Sequence, residues 1–460
     1  MIDDGLRHIA FAQYQDTMKS WGDVFPHSLF SSYDPWQNWH LLIKVLLNIV
    51  SYENVHIAIN FLTLFALMLL IDKYLKLYIK YDFGSFTYII VFSIIYFTAY
   101  RYLMIRPDQL SGLFVFGALL LSNRFLPVFL LTVFYGPFYY LFFIYTGSIG
   151  LVYLVQKKYR SFTGVFLGSI VVLIYFLLNN YQGYIDTITY ILTDQSLRMG
   201  LGVGEGRPVF DLFSNLNYFI LLPLFLTFSF LLIYKNYQYF KNNSLALFLI
   251  ITSILWINQY RYFHLFYPFI VLFIISIIIN TNKKVLLYKI RRYITIGKRF
   301  FSFSKNKPLF YLVALPYAIA VFSYQFNNKS LNDKIKESDI FNDPIYNNKV
   351  ILLNSMNLDI YKMLYINKTI KTIPSCSIGW FDRTDPEIKD IYIRMQKPKG
   401  IDEKELRTLI KYTNADIYIH YMKNKKQTLD FNKLINYGII PSKIEKNRLI
   451  FNIRKDLPNE

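Results

Sequence analysis

Long apolar runs separated by short polar or basic segments fill the chain from about Val55 to Phe326. Many of these runs approach the roughly 20 apolar residues that a helix needs to cross a bilayer. The runs predict helices at 54–71, 85–104, 110–123, 126–140, 141–155, 162–179, 215–234, 244–258, 263–280 and 308–325. We therefore predict a polytopic α-helical membrane protein with about ten spans.

The stretch Phe125–Val155 contains no charged residue. As one helix it would be roughly 45 Å long, whereas the hydrocarbon core of a bilayer is about 30 Å thick. Gly136 and Pro137 lie near its middle and favour a break. We therefore predict two short, bent passes.

The two ends of the chain are more polar. In Gln37–Val50, the residues Trp39, Leu42, Leu46 and Ile49 recur at helical spacing and predict a helix on or near the membrane surface. The C-terminal part alternates strand-like runs, such as Lys349–Leu353, with helical patterns, which indicates a small α/β domain. The predicted domains are a first outer loop (1–53), a transmembrane domain (54–326) and an extracytoplasmic α/β domain (327–460).

The composition and the distribution of charge are also typical of a membrane protein. The 460 residues are 54% hydrophobic and only 17% charged, with a net charge of +20. Alternate loops of the apolar half carry many Lys and Arg against two acids, Asp72 and Asp82, as cytosolic loops do. This asymmetry explains the basic charge without nucleic acid, and it places both chain ends outside. Because an outside N-terminus needs a preceding span, we expect a further transmembrane helix before Met1.

The acidic pair Asp3-Asp4, followed by Arg7 and His8, is the main candidate for catalysis. A general base needs an ionised carboxylate, and its neighbours could tune its pKa or hold a divalent cation. The following segment could complete a metal site with His27, Asp34 and His40. A solvated N-terminal stub is an equally weighted alternative. The single Cys376 excludes an internal disulfide and any cysteine-based zinc site.

Three further segments could bind phosphate. Arg106 and Asp108 flank Pro107 at an outer helix end, and Arg261 and His264 lie at another. Plain helix capping and interfacial snorkelling are the respective alternatives. The glycine-rich segment Gly200–Arg207 lacks the phosphate-loop signature, but Arg207 could contact a sugar or its phosphate if the loop orders over substrate. A disordered connector is the alternative for this segment.

The whole layout resembles the GT-C superfamily of integral-membrane glycosyltransferases. The resemblance rests on Asp3-Asp4-Gly5-Leu6-Arg7-His8 at the acidic-motif position, on Trp21–Val50 as surface helices, and on the closing segments Asn414–His420, Leu434–Gly438 and Asn447–Ile453. It implies that Asp3 or Asp4 is the catalytic base and that the donor is a polyprenyl-phosphate-linked sugar.

The expected function is inverting sugar transfer to a lipid, glycan or protein acceptor of the cell envelope. The expected location is the periplasmic face of a bacterial inner membrane, and no cofactor beyond an optional divalent cation is implied. An O-antigen-type polymerase or ligase, a lipid-linked oligosaccharide flippase, and a non-catalytic subunit acting through 327–460 remain open as alternatives.

Overall fold

The structure is a computed structural model of the chain. It describes residues 3–14, 24, 34–51, 54–79, 91, 94, 105–193, 244–258, 263–281, 339–353, 363–364, 366–367, 369–372, 385–395, 402–421, 441–445 and 448–453. At some helix and strand positions within these ranges, only the backbone is described. The helices predicted near 85–104, 215–234 and 308–325 lie outside the described residues, apart from Val91 and Ile94 in the first of them.

The chain divides into two compact units. The helical unit comprises Glu53–Asn179 and Val203–Asn328, and the mixed unit comprises Ile2–Tyr52, Asn180–Gly202 and Lys329–Glu460. The described α-helices are α1 Asp3–Tyr14, α2 Gln37–Leu47, α3 Val55–Tyr74, α4 Gln109–Leu120, α5 Phe125–Tyr135, α6 Phe142–Val155, α7 Tyr159–Thr193, α8 Ser244–Asn258, α9 Phe263–Thr281, α10 Pro386–Met395 and α11 Glu403–Thr413.

Within the helical unit, apolar and aromatic side chains join the helices. Phe269 of α9 stacks on Phe116 of α4, with the ring centroids 5.0 Å apart, and also contacts Phe248 of α8. One buried polar contact joins α3 to α4, where Gln109 Nε2 donates to Asn60 Oδ1 at 3.0 Å. Because amide side chains need partners where water is absent, this contact fixes how the two helices are aligned.

Two glycines allow α5 and α7 to pack closely. A methyl group added at Gly164 would lie 2.7 Å from the carbonyl oxygen of Phe125, and one added at Gly168 would lie 2.8 Å from Cβ of Thr132. The two glycines are four residues apart, so they lie on one helix face. This Gly-x-x-x-Gly spacing is typical of close contacts between membrane helices.

A break at Asn180 interrupts α7. Its backbone is extended (φ −164°, ψ 92°), and its side-chain Oδ1 accepts from the amide of Gly183 at 2.7 Å. An extended residue whose side chain accepts from the third following amide is a helix N-cap. Asn180 therefore ends one helical segment and starts another. The sequence predicts the first segment over 162–179, in agreement with this boundary.

Two described helices are long and apolar enough to cross a membrane, Val55–Leu77 and Tyr159–Thr189. The predicted pair of short passes appears as α5 and α6, joined through a 3₁₀ turn at Gly136–Phe138. Both are shorter than a spanning helix. The chain is thus mostly helical with a small sheet, and the total of about ten spans stays a prediction.

In the mixed unit, α1 packs against α2. Helix α2 buries Trp39, His40 and Ile43. Leu41 and Val45 of this helix, and Ile49 just after it, are exposed, with Ile49 79% exposed. Trp39 of the predicted apolar repeat therefore lies in the interior, whereas Leu41 and Val45, which are not part of that repeat, are exposed.

The C-terminal part of the mixed unit contains a five-stranded mixed sheet of order β2-β1-β3-β5-β4. Its strands are β1 Val350–Leu353, β2 Lys371–Thr372, β3 Ile417–Tyr421, β4 Lys443–Glu445 and β5 Arg448–Asn452. Strands β2, β1 and β3 are parallel, and β3, β5 and β4 are antiparallel neighbours. The alternating strands and helices predicted for this part of the chain are therefore present, within a unit that also contains residues 2–52 and 180–202.

Helices α10 and α11 supply apolar side chains to the core of this sheet. Ile391 and Leu409 from the helices share a buried cluster with Leu352, Tyr418 and Phe451 from the strands. At the start of α11, the Asp402 side chain accepts from the Glu405 amide, and the Glu405 side chain accepts from the Asp402 amide. This capping box satisfies two terminal amides and fixes where the helix begins.

The buried Asp416 side chain links β1 to the start of β3. Its Oδ2 accepts from the Val350 amide at 3.0 Å, and its own amide donates to the Val350 carbonyl at 2.8 Å. Asp416→Ala should therefore leave the Val350 amide without its acceptor and cost about 2 kcal/mol locally. Hydrogen exchange of Val350–Leu353 in the full chain should become about 30-fold faster, as measured by mass spectrometry.

Asp416→Asn is the matched control because its amide oxygen keeps the acceptor. It should preserve most of the protection of the β1 amides. Equal exchange in Asp416→Ala and the unmodified protein would show that this hydrogen bond does not hold the strand.

Candidate functional site

The predicted catalytic pair lies in the first turn of α1. Asp3 and Asp4 are the first two residues of the helix, where carboxylates favour the positive end of the helix dipole. Asp4 precedes His8 by four residues, which is about one helical turn. The structure describes the backbone of Asp3, Asp4 and Arg7, but not their side chains.

His8 extends the site to α2 through a hydrogen bond between two imidazoles. Its Nδ1 lies 2.8 Å from Nε2 of His40, and the two ring centroids are 5.0 Å apart. Both side chains are buried, with His8 1% exposed and His40 0% exposed. Two histidines from segments 32 residues apart therefore share one hydrogen bond inside the mixed unit.

Asp34 orients His40 from the other side. Its Oδ2 lies 2.6 Å from Nδ1 of His40, and its Oδ1 accepts from the Trp36 amide at 2.9 Å. An ionised carboxylate only accepts hydrogen bonds, so Nδ1 of His40 must carry a proton. The turn before α2 thus fixes the carboxylate, and the carboxylate fixes the tautomer of His40.

Aromatic rings surround this polar chain, which we call the His8–His40–Asp34 cluster. Trp36 meets His8 edge to face at 5.6 Å, and Phe11 stacks on His40 at 5.5 Å. Rings of this kind exclude water and lower the local dielectric constant, which strengthens hydrogen bonds between the polar groups. The cluster is therefore a chain of titratable groups held in an apolar environment.

A metal site is not supported by the described residues. Within the ranges that the structure describes, no group of three His, Cys, Asp or Glu side chains could hold a metal ion. Asp34 and His40 of the predicted metal set do come together, but His27 lies outside the described residues. The 2.8 Å separation of the two histidine nitrogens is that of a hydrogen bond.

In the helical unit, the predicted phosphate-binding residue Arg106 lies in the turn before α4. Ile105 next to it has a positive φ of 51°, which is strained for a β-branched residue. Asp108 is buried, and its side chain makes no capping hydrogen bond to α4. The turn thus precedes α4 as expected, with Asp108 at the N-cap position but without a side-chain capping hydrogen bond. Backbone strain of this kind is frequent at functional sites.

The remaining predicted binding residues have no described side chain. Arg207 and Arg261 lie outside the described residues, as does the glycine-rich segment Gly200–Arg207. His264 lies in α9, where only its backbone is described. Their proposed contacts with phosphate stay predictions.

No protein-family model matches the chain, and no curated protein matches it.

Proposed function

We propose that this protein is an inverting glycosyltransferase of the GT-C type, embedded in a bacterial inner membrane. It would move a sugar from a polyprenyl-phosphate donor to a cell-envelope acceptor at the periplasmic face. The observation that carries the proposal is the start of the chain, where an acidic pair opens a helix that is tied to α2 through the His8–His40–Asp34 cluster.

The surfaces of the two long helices support a membrane location. Large apolar side chains are exposed on both, among them Leu62 and Leu69 on α3 and Phe166 and Leu178 on α7. Such surfaces are unfavourable in water and favourable in hydrocarbon. The exposed stripe on α2 is likewise typical of a helix lying at the membrane interface.

The proposed topology has about ten spans, with the basic loops in the cytosol and both chain ends in the periplasm. The tight contact between α5 and α7 through Gly164 and Gly168 supports helix packing within a bilayer. In this arrangement the α/β domain of residues 327–460 lies beside the periplasmic surface.

In the proposed reaction, an acceptor hydroxyl attacks the anomeric carbon as the bond to the carrier phosphate breaks. Asp3 or Asp4 takes the hydroxyl proton, and the phosphate leaves with the bonding electron pair. Arg106 or Arg261 would stabilise the departing phosphate, assisted by Arg7, Arg207 and His264. Positioning and charge stabilisation would supply most of the rate, because the carrier phosphate is already a good leaving group.

A polymerase or ligase acting on the same donor is the nearest enzymatic alternative. A flippase or other transporter would need charged groups along its path through the membrane. Within the two described long helices, the buried acid Asp72 forms an ion pair with Lys76 one turn away, close to the helix end. This arrangement fits an interfacial ion pair better than a transport pathway.

The test replaces each carboxylate by its amide, as Asp3→Asn and Asp4→Asn, in a host that lacks its own copy. Loss of the base should lower sugar transfer by about 100-fold or more in one of the two variants. The lipid-linked sugars of the host should accumulate, and the envelope glycan should lose the corresponding sugar, as measured by mass spectrometry of both fractions.

Asp390→Asn is the matched control, since Asp390 is an exposed aspartate on α10. It should transfer sugar at the unmodified rate at equal membrane abundance. Unchanged lipid and glycan fractions in the Asp3→Asn/Asp4→Asn double variant would refute the transferase proposal.

A further inference from the structure

The turn between α6 and α7 carries basic residues that the proposed sugar transfer does not use. We propose that this turn, together with the starts of α5 and α8, binds the phosphodiester headgroup of an anionic phospholipid on the cytosolic side of the membrane. The inference requires the membrane location proposed above, but it is independent of the transferase activity. The residues concerned, which we call the basic end cluster, are Arg124, Gln156, Lys157, Lys158, Arg160 and Ser244.

A backbone hydrogen bond places Arg124 beside the start of α7. The amide of Asn123, the residue before Arg124, donates to Oγ of Ser161 at 2.7 Å, and Ser161 directly follows Arg160. Asn123 has a positive φ of 76°, a conformation that asparagine tolerates and that turns the chain between α4 and α5. Both arginines are exposed. Two cations from separate turns therefore lie at the same end of the helical unit.

Polar side chains connect this end to α8. Oγ of Ser244, the first residue of α8, donates to Oε1 of Gln156 at 2.9 Å, and Nζ of Lys158 donates to the same hydroxyl at 3.5 Å. Ser244 is buried and Lys158 is half-buried. The starts of α5, α7 and α8 thus lie at this end, and each helix presents the positive end of its dipole there.

The inner part of the cluster lacks an acceptor. Nε2 of Gln156 is buried and has no hydrogen-bond partner within the described part of the chain. Among the same residues, Lys158 forms no ion pair with a carboxylate, and burial lowers the pKa of its ammonium from the usual value. A buried donor and a half-buried cation are unfavourable without an acceptor. Since both lie around one serine hydroxyl, the oxygens of a single phosphate can accept from both.

The general bias of basic residues towards the cytosol does not explain these two groups. That bias requires cations in the loop but no particular position, and the exposed Arg124, Lys157 and Arg160 satisfy it. It gives no reason to bury part of a lysine next to a glutamine whose donor has no acceptor. A binding site for an anion accounts for both groups, and the exposed cations add to its attraction.

The helices that meet at the cluster favour a lipid over a free anion. Exposed apolar side chains begin within two turns of the basic residues, at Leu126 on α5, at Leu154 and Val155 on α6 and at Phe166 on α7. An acyl chain can pack on these surfaces while its headgroup occupies the polar end, as anionic lipids do at basic pockets between membrane helices. A soluble phosphate compound gains nothing from these surfaces.

The test measures lipid binding by the purified full chain in detergent micelles. Phosphatidylglycerol, whose headgroup is anionic, is titrated in competition with phosphatidylcholine, whose headgroup has no net charge. Native mass spectrometry counts the bound lipids. The protein should bind phosphatidylglycerol at least about 10-fold more tightly than phosphatidylcholine. Excess inorganic phosphate should not displace the lipid, because it has no acyl chain.

Two variants examine the inner and outer parts of the cluster. Gln156→Glu keeps the acceptor for Ser244 and replaces the amide donor by a carboxylate, so repulsion should lower the affinity for phosphatidylglycerol by about 10-fold or more. Lys157→Gln/Arg160→Gln removes two exposed cations. It should lower the affinity by about 20-fold, since each basic residue near an anionic lipid surface contributes roughly a factor of five.

Lys404→Gln/Lys411→Gln is the matched control, because it removes two exposed lysines from α11 and changes the net charge equally. It should bind both lipids as the unmodified protein does. An equal loss of affinity in the two double variants would show that net charge alone attracts the lipid, and the proposed site would be refuted.

Two further results would also overturn the proposal. Equal affinity of the unmodified protein for the two lipids would show that the cluster does not recognise the charge of the headgroup. Displacement of phosphatidylglycerol by inorganic phosphate would show that the site takes a free anion instead of a lipid. None of these measurements involves sugar transfer, so their outcome is separate from that of Asp3→Asn and Asp4→Asn.

Discussion

Gly164→Leu should strongly destabilise the folded protein. The carbonyl oxygen of Phe125 lies 2.7 Å from the position of the added Cβ, and a backbone atom cannot rotate away as a side chain could. Helices α5 and α7 would have to separate, and the contact at Gly168 would open with them. We expect a loss of about 3 kcal/mol, the upper part of the range for overpacked sites. Thermal unfolding of the detergent-purified protein measures the effect.

Gly147→Leu is the matched control for this substitution. Gly147 lies in α6, and among the residues that the structure describes no neighbouring side chain lies within 4 Å of the Cβ position. Leucine should be tolerated there, and the higher helix propensity could add a little stability. If the two leucine variants unfold at the same temperature, the close contact between α5 and α7 does not exist.

Acidification from pH 7 to pH 4 should destabilise the α/β part of the mixed unit through His420. Burial lowers the pKa of His420 to about 4, and the neutral ring shares a hydrogen bond of 2.9 Å with Tyr418. In the unfolded chain a histidine takes up its proton near pH 6.5. Between these two values the unfolded state binds more protons, so stability falls as the pH falls.

The expected loss is about 3 kcal/mol, complete near pH 4, with none of it present above about pH 6.5. Melting temperatures of the full chain at pH 7 and pH 4 measure it. His420→Asn keeps an acceptor near the position of Nδ1 and stays neutral, so its melting temperature should depend less on pH. His56→Asn, the control, should depend on pH as the unmodified protein does. An identical pH dependence in His420→Asn would show that this histidine is not the cause.

The helices that the structure describes in the apolar half could be predicted because each is marked by an apolar run in its own sequence. An uncharged apolar run defines α3 or α8 without reference to the rest of the chain. The length of α7 was harder to predict, because one capping residue, Asn180, joins the predicted segment to a second one. Strands β2 and β4 contain only two and three residues. They form because they pair with neighbouring strands, and they are too short to show an alternating pattern in the sequence.

The sequence indicates which residues belong to the candidate site, but it does not indicate which of them form hydrogen bonds with each other. His8 follows the acidic pair closely, and Asp34 and His40 stand out as polar residues of the following aromatic-rich segment. The hydrogen bond between His8 and His40 joins positions 32 residues apart, and it depends on how α1 packs on α2. A periodic pattern identifies an apolar face, but it does not identify which neighbour covers that face.

The cap at Asn180 sets the length of the first segment of α7, and that length determines which bilayer thickness the segment would match. The helical segment from Tyr159 to that cap has about 21 residues and is therefore roughly 31 Å long. If this segment crosses the bilayer as proposed, its length matches an average hydrocarbon thickness with little tilt. A thicker membrane would draw the capping amide towards the lipid. Because that polar amide is unfavourable in lipid, Asn180 would oppose the mismatch and fix the depth at which this helical segment ends.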